Sequence, residues 1–244
     1  MERIYHLCRI ELYRFFHSIS IIKYMIFIPA ILFLMSYMNI AYSGDEITDL
    51  LVWASLSPVF LYLVAFICTI VAFYVGREFI QKTIYYEIMS GYGFFEIAFA
   101  KIVTCGILAA ALILASMILY LGILLHVWST DFFLRVLFLF ALFFHLCSGA
   151  VLYVLLCKNP VSGGCLAFTR FFLAEAVMEA AVGNLPFYKV EIIRRLLFFY
   201  QWYELINVEK PLTVEWMISI IAMAAVEYGI LQGVLLWRFK KADM

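Results

Sequence analysis

The chain has 244 residues, of which 67% are hydrophobic and 14% are charged, and its mean hydropathy is +1.03. A soluble domain averages about 45–50% apolar and about 25% charged residues, so this composition excludes an ordinary soluble protein and indicates one domain embedded in a bilayer. Seventeen basic residues balance 17 acidic ones, and this zero net charge gives no sign of a nucleic-acid partner.

The first predicted element is an amphipathic helix within residues 1–23. Arg3, Arg9, Arg14 and Lys23 interrupt an apolar set that gathers largely on one helical face at about 100° per residue. This pattern is typical of a helix that lies in the membrane interface. Such a helix either docks the subunit at the inner leaflet as an elbow or only supplies the basic flank that sets topology, and the sequence leaves both open.

Six apolar runs follow that are each long enough to cross the membrane, because about 20 residues at about 1.5 Å rise span a hydrocarbon core of about 30 Å. They cover residues 24–42, 52–75, 98–125, 134–157, 161–182 and 214–236. Each must be a helix, since lipid offers no partner for exposed backbone groups. The predicted fold is therefore an all-α integral membrane protein with six transmembrane helices, in which residues 1–244 form a single domain.

The distribution of basic residues predicts the orientation of these spans. With the N-terminus in the cytosol, eleven of the 17 Lys and Arg lie on the inner side. These are Arg3, Arg9, Arg14, Lys23, Arg77, Lys82, Lys101, Lys158, Arg238, Lys240 and Lys241. The first outer loop carries Asp45, Glu46 and Asp49 and no base. Since short cytoplasmic loops are enriched in Lys and Arg, both termini are predicted to be cytosolic.

The longest predicted cytosolic loop, residues 76–97, separates the second span from the third. A hairpin between two spans needs only a handful of residues, so a segment of this length and mixed charge predicts a docking surface. Ile84 and Ile88 are four residues apart and would share one face of a short helix. Gly91 and Gly93 would end that helix. A solvated loop without any partner is the alternative.

Residues 183–213, between the fifth and sixth spans, form the longest predicted extracellular segment. Apolar residues from Val190 to Tyr200 recur at helical spacing, which predicts an amphipathic helix. This helix either lies in the outer interface or dips back into the membrane as a re-entrant element. An ordinary surface helix anchored by Trp202 and Tyr203 is the alternative.

Acidic and basic residues lie deep within the last two predicted spans: Arg170, Glu175 and Glu179 in the fifth and Glu227 near the middle of the sixth. A charge in hydrocarbon costs several kcal/mol and usually faces protein or water. Arg170 points roughly 140° away from Glu175, so these two do not pair within one helix, whereas Glu227 can reach Arg170 from the neighbouring span. The four residues either line a polar substrate path or gate, or fix helix packing. His145, alone on an apolar face of the fourth span, is expected to be a hydrogen-bonded packing residue.

The order of these features resembles the permease subunits of type-2 ATP-binding-cassette (ABC) exporters, and the resemblance covers essentially the whole chain. It rests on six spans with both ends inside, a basic amphipathic start, a patterned loop after the second span and a basic tail. The loop pattern is Glu78-Phe79, Thr83-Ile84, Ser90-Gly91 and Lys101, and the tail is Trp237-Arg238-Phe239-Lys240-Lys241.

By this resemblance, the loop forms a coupling helix seated in a cleft of an ATP-hydrolysing subunit. Its candidate contacts with that subunit are Arg77, Glu78, Phe79, Thr83, Ile84, Glu87, Ser90 and Gly91. The chain lacks the phosphate-binding pattern G-x-x-x-x-G-K-[ST], so no catalytic residue, metal site or cofactor is expected in it. ATP and Mg would be bound by two separate ATPase subunits, and a second permease, identical or a sister subunit, would lie beside this one in the lipid bilayer.

Small permeases of this pattern resemble those of bacterial self-protection and efflux systems. The resemblance implies a location in the bacterial cytoplasmic membrane and an amphiphilic peptide substrate such as a lantibiotic or bacitracin. An ion-coupled secondary transporter would explain Arg170, Glu175 and Glu227, but short-looped spans without Gly/Pro-interrupted helices fit that class poorly. A membrane-embedded enzyme would need a catalytic constellation near one interface, and the sequence shows no paired Asp, no H-E-x-x-H and no Ser/His pair placed for catalysis.

Overall fold

The structure is a computed structural model that describes residues 2–43, 55–120, 130–174, 177, 198–207 and 214–242. Within these residues the chain forms ten α-helices and no strand, which confirms the predicted all-helical class for the described part. The helices are α1 (Glu2–His17), α2 (Ile19–Ser43), α3 (Ser57–Ile80), α4 (Thr83–Met89), α5 (Phe94–Lys101), α6 (Ile107–Ile118), α7 (Thr130–Cys157), α8 (Pro160–Phe168), α9 (Phe198–Ile206) and α10 (Val214–Ala242). The π-helical segment Ile102–Gly106 joins α5 to α6, and a second one, Thr169–Leu173, extends α8.

Four stretches of helix are long and apolar enough to cross a membrane: Ile22–Tyr42, Pro58–Ile80, Phe94–Ile118 and Phe132–Cys157. They overlap the first four predicted spans and indicate a membrane protein. The fifth predicted span, residues 161–182, lies partly outside the described residues. α10 covers the sixth, and the apolar stretch found in its described part, Ile218–Leu231, is shorter.

Two helix boundaries differ from the prediction. The sequence places the end of the second span at residue 75 and the start of the third at residue 98, whereas α3 continues to Ile80 and α5 already begins at Phe94. Of the predicted loop 76–97, only residues 81–82 and 90–93 therefore lie outside helices. The charged residues that suggest a loop are compatible with longer helices because several of them are paired inside the protein.

α7 lies at the centre of the bundle and contacts α3, α6, α8, α9 and α10. Its apolar side chains between Phe138 and Leu155 are largely buried. α2, in contrast, packs on α3 and α6 with one side only and leaves Phe27 and Met35 exposed. In a bilayer such side chains contact lipid tails, which are as apolar as they are, so their exposure is not a cost.

A two-residue turn, Lys158 and Asn159, reverses the chain between α7 and α8. The Asn159 side chain caps α8, because its oxygen accepts hydrogen bonds from two N–H groups of the first turn at 2.9 and 3.2 Å. Pro160 occupies the first helical position, where its missing N–H is not needed. α8 consequently starts at once and packs against both α7 and α3.

Two glycines allow this close packing, and their replacement should destabilise the fold. A Cβ on Gly163 would lie 2.5 Å from the Cα of Val154, and one on Gly76 would lie 2.7 Å from the Cα of Pro160. Backbone atoms cannot move aside, so we expect Gly163→Ala to lower the free energy of unfolding by about 1–3 kcal/mol, measured from the thermal midpoint in detergent. Gly229→Ala is the matched control, because a Cβ there meets nothing within 4 Å and alanine favours a helix. Equal losses in both variants would contradict the prediction.

α9 is the described part of the predicted extracellular segment 183–213; residues 183–197, including Val190, lie outside the described residues. Trp202 of α9 is buried and stacks on Phe60 of α3 with 4.6 Å between ring centroids, whereas Tyr203 is exposed. The buried Trp202 ring anchors α9 to its own chain, while the placement of the segment in the outer interface, within the membrane or at the surface stays a prediction. The buried ring fixes α9 inside the bundle, against α3 and α7.

Candidate functional site

The segment between α3 and α5 carries the candidate docking helix, α4. After Ile80, Lys82 turns the chain into α4 with a left-handed φ of 59°. Gly91, with a φ of 85°, reverses the chain after α4. Gly93 then starts α5, and its N–H donates to Glu96 Oε2 at 2.9 Å. The predicted short helix and its termination by glycine are confirmed.

The inner face of α4 is buried against its own chain. Ile84 is 1% exposed and Glu87 is 7% exposed. The Glu87 carboxylate accepts a hydrogen bond from the guanidinium of Arg14 in α1. Arg3, also in α1, donates to the Gly91 carbonyl at 3.3 Å. α1 therefore contacts the C-terminal half of α4 and the turn that follows it.

Five charged side chains from four helices, four of them buried and Arg14 partly exposed, meet at the inner face of α4, and we call them the ion cluster. Its members are Glu11 and Arg14 of α1, Glu78 of α3, Glu87 of α4 and Lys101 of α5. Lys101 Nζ donates to Glu11 Oε1 at 2.7 Å and also to Glu78 Oε2. Arg14 Nη1 lies 3.1 Å from Glu11 Oε1 and 3.9 Å from Glu78 Oε1. Electrostatic contacts thus join α1, α3, α4 and α5.

The charges of the ion cluster depend on one another. Lys101 is 1% exposed, and a buried ammonium is tolerated only where carboxylates neutralise it. Burial lowers the pKa of Arg14, but the hydrogen bond to Glu87 and the charge of Glu11 outweigh burial, so that the pKa is raised and the guanidinium stays charged. Oxygens of the three carboxylates lie within 4.8 Å of one another, a ligand type that divalent cations prefer. Here the two basic side chains supply the positive charge.

The outer face of the same segment carries exposed apolar side chains. Ile80 is 69% exposed, Tyr86 63% and Met89 72%, and Tyr85 and Ile88 are exposed beside them. We call these five residues the α4 patch. Exposed apolar side chains grouped in this way mark a surface that binds another protein or a membrane.

The eight residues that the sequence predicts as contacts of a second protein divide by exposure. Arg77, Ser90 and Gly91 are exposed, Phe79 and Thr83 are half-buried, and Glu78, Ile84 and Glu87 are buried. Ile84 and Ile88 lie four residues apart in α4 and share one side of that helix, as predicted, but Ile84 is buried whereas Ile88 is 38% exposed. The buried carboxylates of Glu78 and Glu87 pair with bases of their own chain, whereas contact of these eight residues with a second protein stays a prediction.

Sequence reasoning missed that Glu11, Arg14 and Lys101 act together, and it missed the tyrosines of the α4 patch. A signal for Glu11 was present, since it is the only acidic residue between positions 3 and 43. It also lies three residues before Arg14, which is the spacing of a helical ion pair. A single acidic residue in a basic, amphipathic helix indicates that its side chain faces inward and pairs with a basic residue of the same protein.

A second polar group, the Glu227 cluster, lies between α7, α10 and the π-helical segment that extends α8. Glu227 Oε1 accepts a hydrogen bond from the Tyr153 hydroxyl at 2.9 Å. Its Oε2 lies 3.1 Å from His145 Nε2 and 3.3 Å from Arg170 Nη2. The predicted pairing of Arg170 with Glu227 is confirmed, and so is the predicted hydrogen bonding of His145.

The Glu227 cluster shows how the helices accommodate a buried carboxylate. Both of its oxygens have donors, which is the condition under which a buried charge is tolerated. Arg170 lies in the π-helical segment Thr169–Leu173, a conformation that often occurs at functional sites. Glu175 and Glu179, the other residues of the predicted path, lie outside the described residues.

No known family model matches the chain, and no curated protein matches it.

Proposed function

We propose that the chain is the membrane-spanning permease subunit of an ATP-driven ABC exporter. The observation that supports this best is the α4 helix, which shows the apolar α4 patch outward while the ion cluster fixes its inner face. A solvated loop gains nothing from exposing apolar side chains, and burying charges beneath it costs free energy. Both features fit a helix against which a second protein pushes.

In the proposed mechanism, ATP draws two ATPase subunits together, and the α4 helix of each permease moves with them. The movement reaches the membrane helices through the short turns on either side of α4 and through the ion cluster. Glu87 moves with α4 and is bonded to Arg14, while Lys101 holds α1 and α3 to α5. The helices thereby shift together and open the space between the two permeases.

The proposed assembly has two ATPase subunits, which bind ATP and Mg, and two permeases with six spans each, identical or sister subunits. It lies in the bacterial cytoplasmic membrane with both termini in the cytosol, the orientation that the basic residues favour. For the substrate we propose an amphiphilic antimicrobial peptide such as a lantibiotic or bacitracin, on the resemblance alone. A susceptibility screen of a deletion strain, with and without the ATPase, tests this assignment.

Tyr86→Ala should weaken binding of the proposed ATPase subunit by about tenfold or more. An exposed aromatic side chain at the centre of an interface often contributes about 2 kcal/mol, and 1.4 kcal/mol is a factor of ten. The measurement is the Kd between the chain in nanodiscs and the purified ATPase. Tyr62→Ala is the matched control, because Tyr62 is 60% exposed but lies within the apolar stretch Pro58–Ile80. Unchanged affinity in Tyr86→Ala, or equal loss in both variants, would remove the docking role of α4.

An ion-coupled secondary transporter is the second candidate, and the Glu227 cluster is the observation that favours it. Ionisable side chains within apolar helices often serve ion and proton pathways, and Arg170, His145 and Glu227 meet in one such place. The two proposals differ in what drives transport. Transport by the purified chain in liposomes with an ion gradient and no ATPase would support the secondary transporter and contradict the ABC permease.

A further inference from the structure

The acidic side chains of the α4 segment are turned away from its surface. Residues 76–97 contain three acids, Glu78, Glu87 and Glu96. Glu78 and Glu87 are buried in the ion cluster. Glu96 is half-buried, and one of its oxygens accepts the N–H that begins α5. None of the three carboxylates is fully exposed beside the α4 patch.

The two basic side chains of the same segment, Arg77 and Lys82, are both exposed. They flank Ile80, a member of the α4 patch, in the sequence, so positive charge lies next to this end of the patch. Although the sequence of this segment has mixed charge, the charged side chains that it exposes fully are both positive, and they lie among exposed apolar and neutral polar residues. A surface of this kind is complementary to apolar groups surrounded by acidic ones.

The backbone of Lys82 gives independent support for a role of its side chain. Its φ of 59° and ψ of 14° are left-handed, a conformation that residues other than glycine rarely adopt. Among the described residues, Lys158 is the other non-glycine with a positive φ, at 54°. Lys158 lies in the α7–α8 turn, just before Pro160, which contacts Gly76 of α3. Both lysines thus lie at turns of the same end of the bundle, in a backbone conformation that glycine would adopt with less strain, and this strain points to use of their charge.

We propose that the α4 patch docks into a protein cleft with an apolar floor and an acidic rim, and that Arg77 and Lys82 face the acidic rim. This inference rests on the proposed function and assigns the chemistry of the ATPase surface that receives α4. The apolar contacts supply most of the affinity, while the charges steer and orient the helix.

The test is the Kd for the proposed ATPase subunit, measured with the chain in phosphatidylcholine nanodiscs at about 50 and about 500 mM NaCl. The Kd of the unaltered chain should rise with salt, because salt screens exposed charges. Lys82→Gly suits the left-handed backbone and removes the charge, so binding should weaken about two- to fivefold without loss of stability. Lys82→Glu should weaken binding about tenfold or more and abolish or invert the salt dependence. Lys23→Glu, an exposed base in α2, is the matched control and should bind like the unaltered chain.

Each outcome decides the proposal. Lys82 variants with unaltered affinity and salt dependence would overturn the acidic rim, while lost binding in Tyr86→Ala would still support docking through α4. Equal weakening in Lys23→Glu would also overturn the acidic rim. An ATPase that does not bind the unaltered chain at either salt concentration would overturn both this inference and the proposed function.

A membrane surface with anionic headgroups is the competing partner, and labelling distinguishes it. Met89→Cys, combined with Cys165→Ser to remove the exposed native thiol, is treated with a water-soluble maleimide in nanodiscs without ATPase. Equal labelling rates in phosphatidylcholine and in nanodiscs rich in phosphatidylglycerol support a protein partner. Slower labelling in the anionic nanodiscs would place the α4 patch on the headgroups and overturn the proposal.

Discussion

Lys101→Met is expected to lower the free energy of unfolding by about 3–5 kcal/mol, because it removes the buried ammonium that pairs with the carboxylates of both Glu11 and Glu78. Lys101 is 1% exposed, and its partners Glu11 and Glu78 are 1% and 7% exposed. Methionine keeps the length of the side chain, so the loss reports on charge and hydrogen bonding rather than on a cavity. At about 2–4 °C per kcal/mol for a chain of this size, the thermal midpoint of the purified protein in detergent should fall by about 6–20 °C.

Two further variants test whether the loss of stability in Lys101→Met comes from the ion cluster. Lys82→Met removes an exposed charge outside the cluster and should change stability by less than about 0.5 kcal/mol. The triple variant Glu11→Gln/Glu78→Gln/Lys101→Met removes Lys101 together with both of its carboxylate partners, so it should be more stable than Lys101→Met alone. A single variant with unaltered stability, or a triple variant less stable than the single one, would show that Lys101 does not neutralise the two carboxylates.

Composition and the length of the apolar runs were sufficient to predict a helical membrane protein, because lipid allows few other structures for such segments. They were not sufficient to predict where α3 ends. Gly76 and Arg77 resemble the start of a loop in sequence, yet Gly76 packs against Pro160 within the helix. Glu78 is compatible with a continuing helix because Lys101, 23 residues later, pairs with it.

The candidate site was harder to predict because its partners are distant in the sequence. Arg14 and Glu87 are 73 residues apart, and Glu11 and Lys101 are 90 residues apart. Helical spacing predicts which residues share a face of α4, but it does not say which face is covered. The buried position of Glu87 and the exposed position of Tyr86 follow from the placement of α1 beneath α4, which no local pattern encodes.

The burial of Glu78 and Glu87 changes the experiment that tests docking. From sequence alone, charge reversal at these positions is a reasonable test, with lost co-purification of the ATPase as the expected result. In the structure, the reversal would place lysine beside Lys101 and Arg14 and disrupt the ion cluster. Co-purification would then be lost through misfolding, so substitutions in the α4 patch are the informative ones.

The Arg170–Glu227 pair was predictable because hydrocarbon leaves a charged side chain few partners. Removing the pair should cause the second large loss of stability. We expect Glu227→Leu to lower the free energy of unfolding by about 3–5 kcal/mol, since it leaves Arg170 without its carboxylate. Arg170→Leu should cost less, because Glu227 keeps Tyr153 at 2.9 Å and His145 at 3.1 Å. Thermal midpoints in detergent measure both losses. Ile230→Leu, on the exposed side of α10, is the control and should leave the midpoint unchanged.

The double variant Arg170→Leu/Glu227→Leu distinguishes a packing role from a transport role. If the pair only fixes α10 against its neighbours, removing both partners leaves no isolated Arg170 charge, so the double variant should be more stable than Glu227→Leu. The coupling free energy between the two substitutions should be about 1–3 kcal/mol, and transport should return along with stability. If the residues line a substrate path, the double variant should be stable but should transport an altered range of substrates. If the losses of unfolding free energy in the two single variants add up to the loss in the double variant, Arg170 and Glu227 do not stabilise each other.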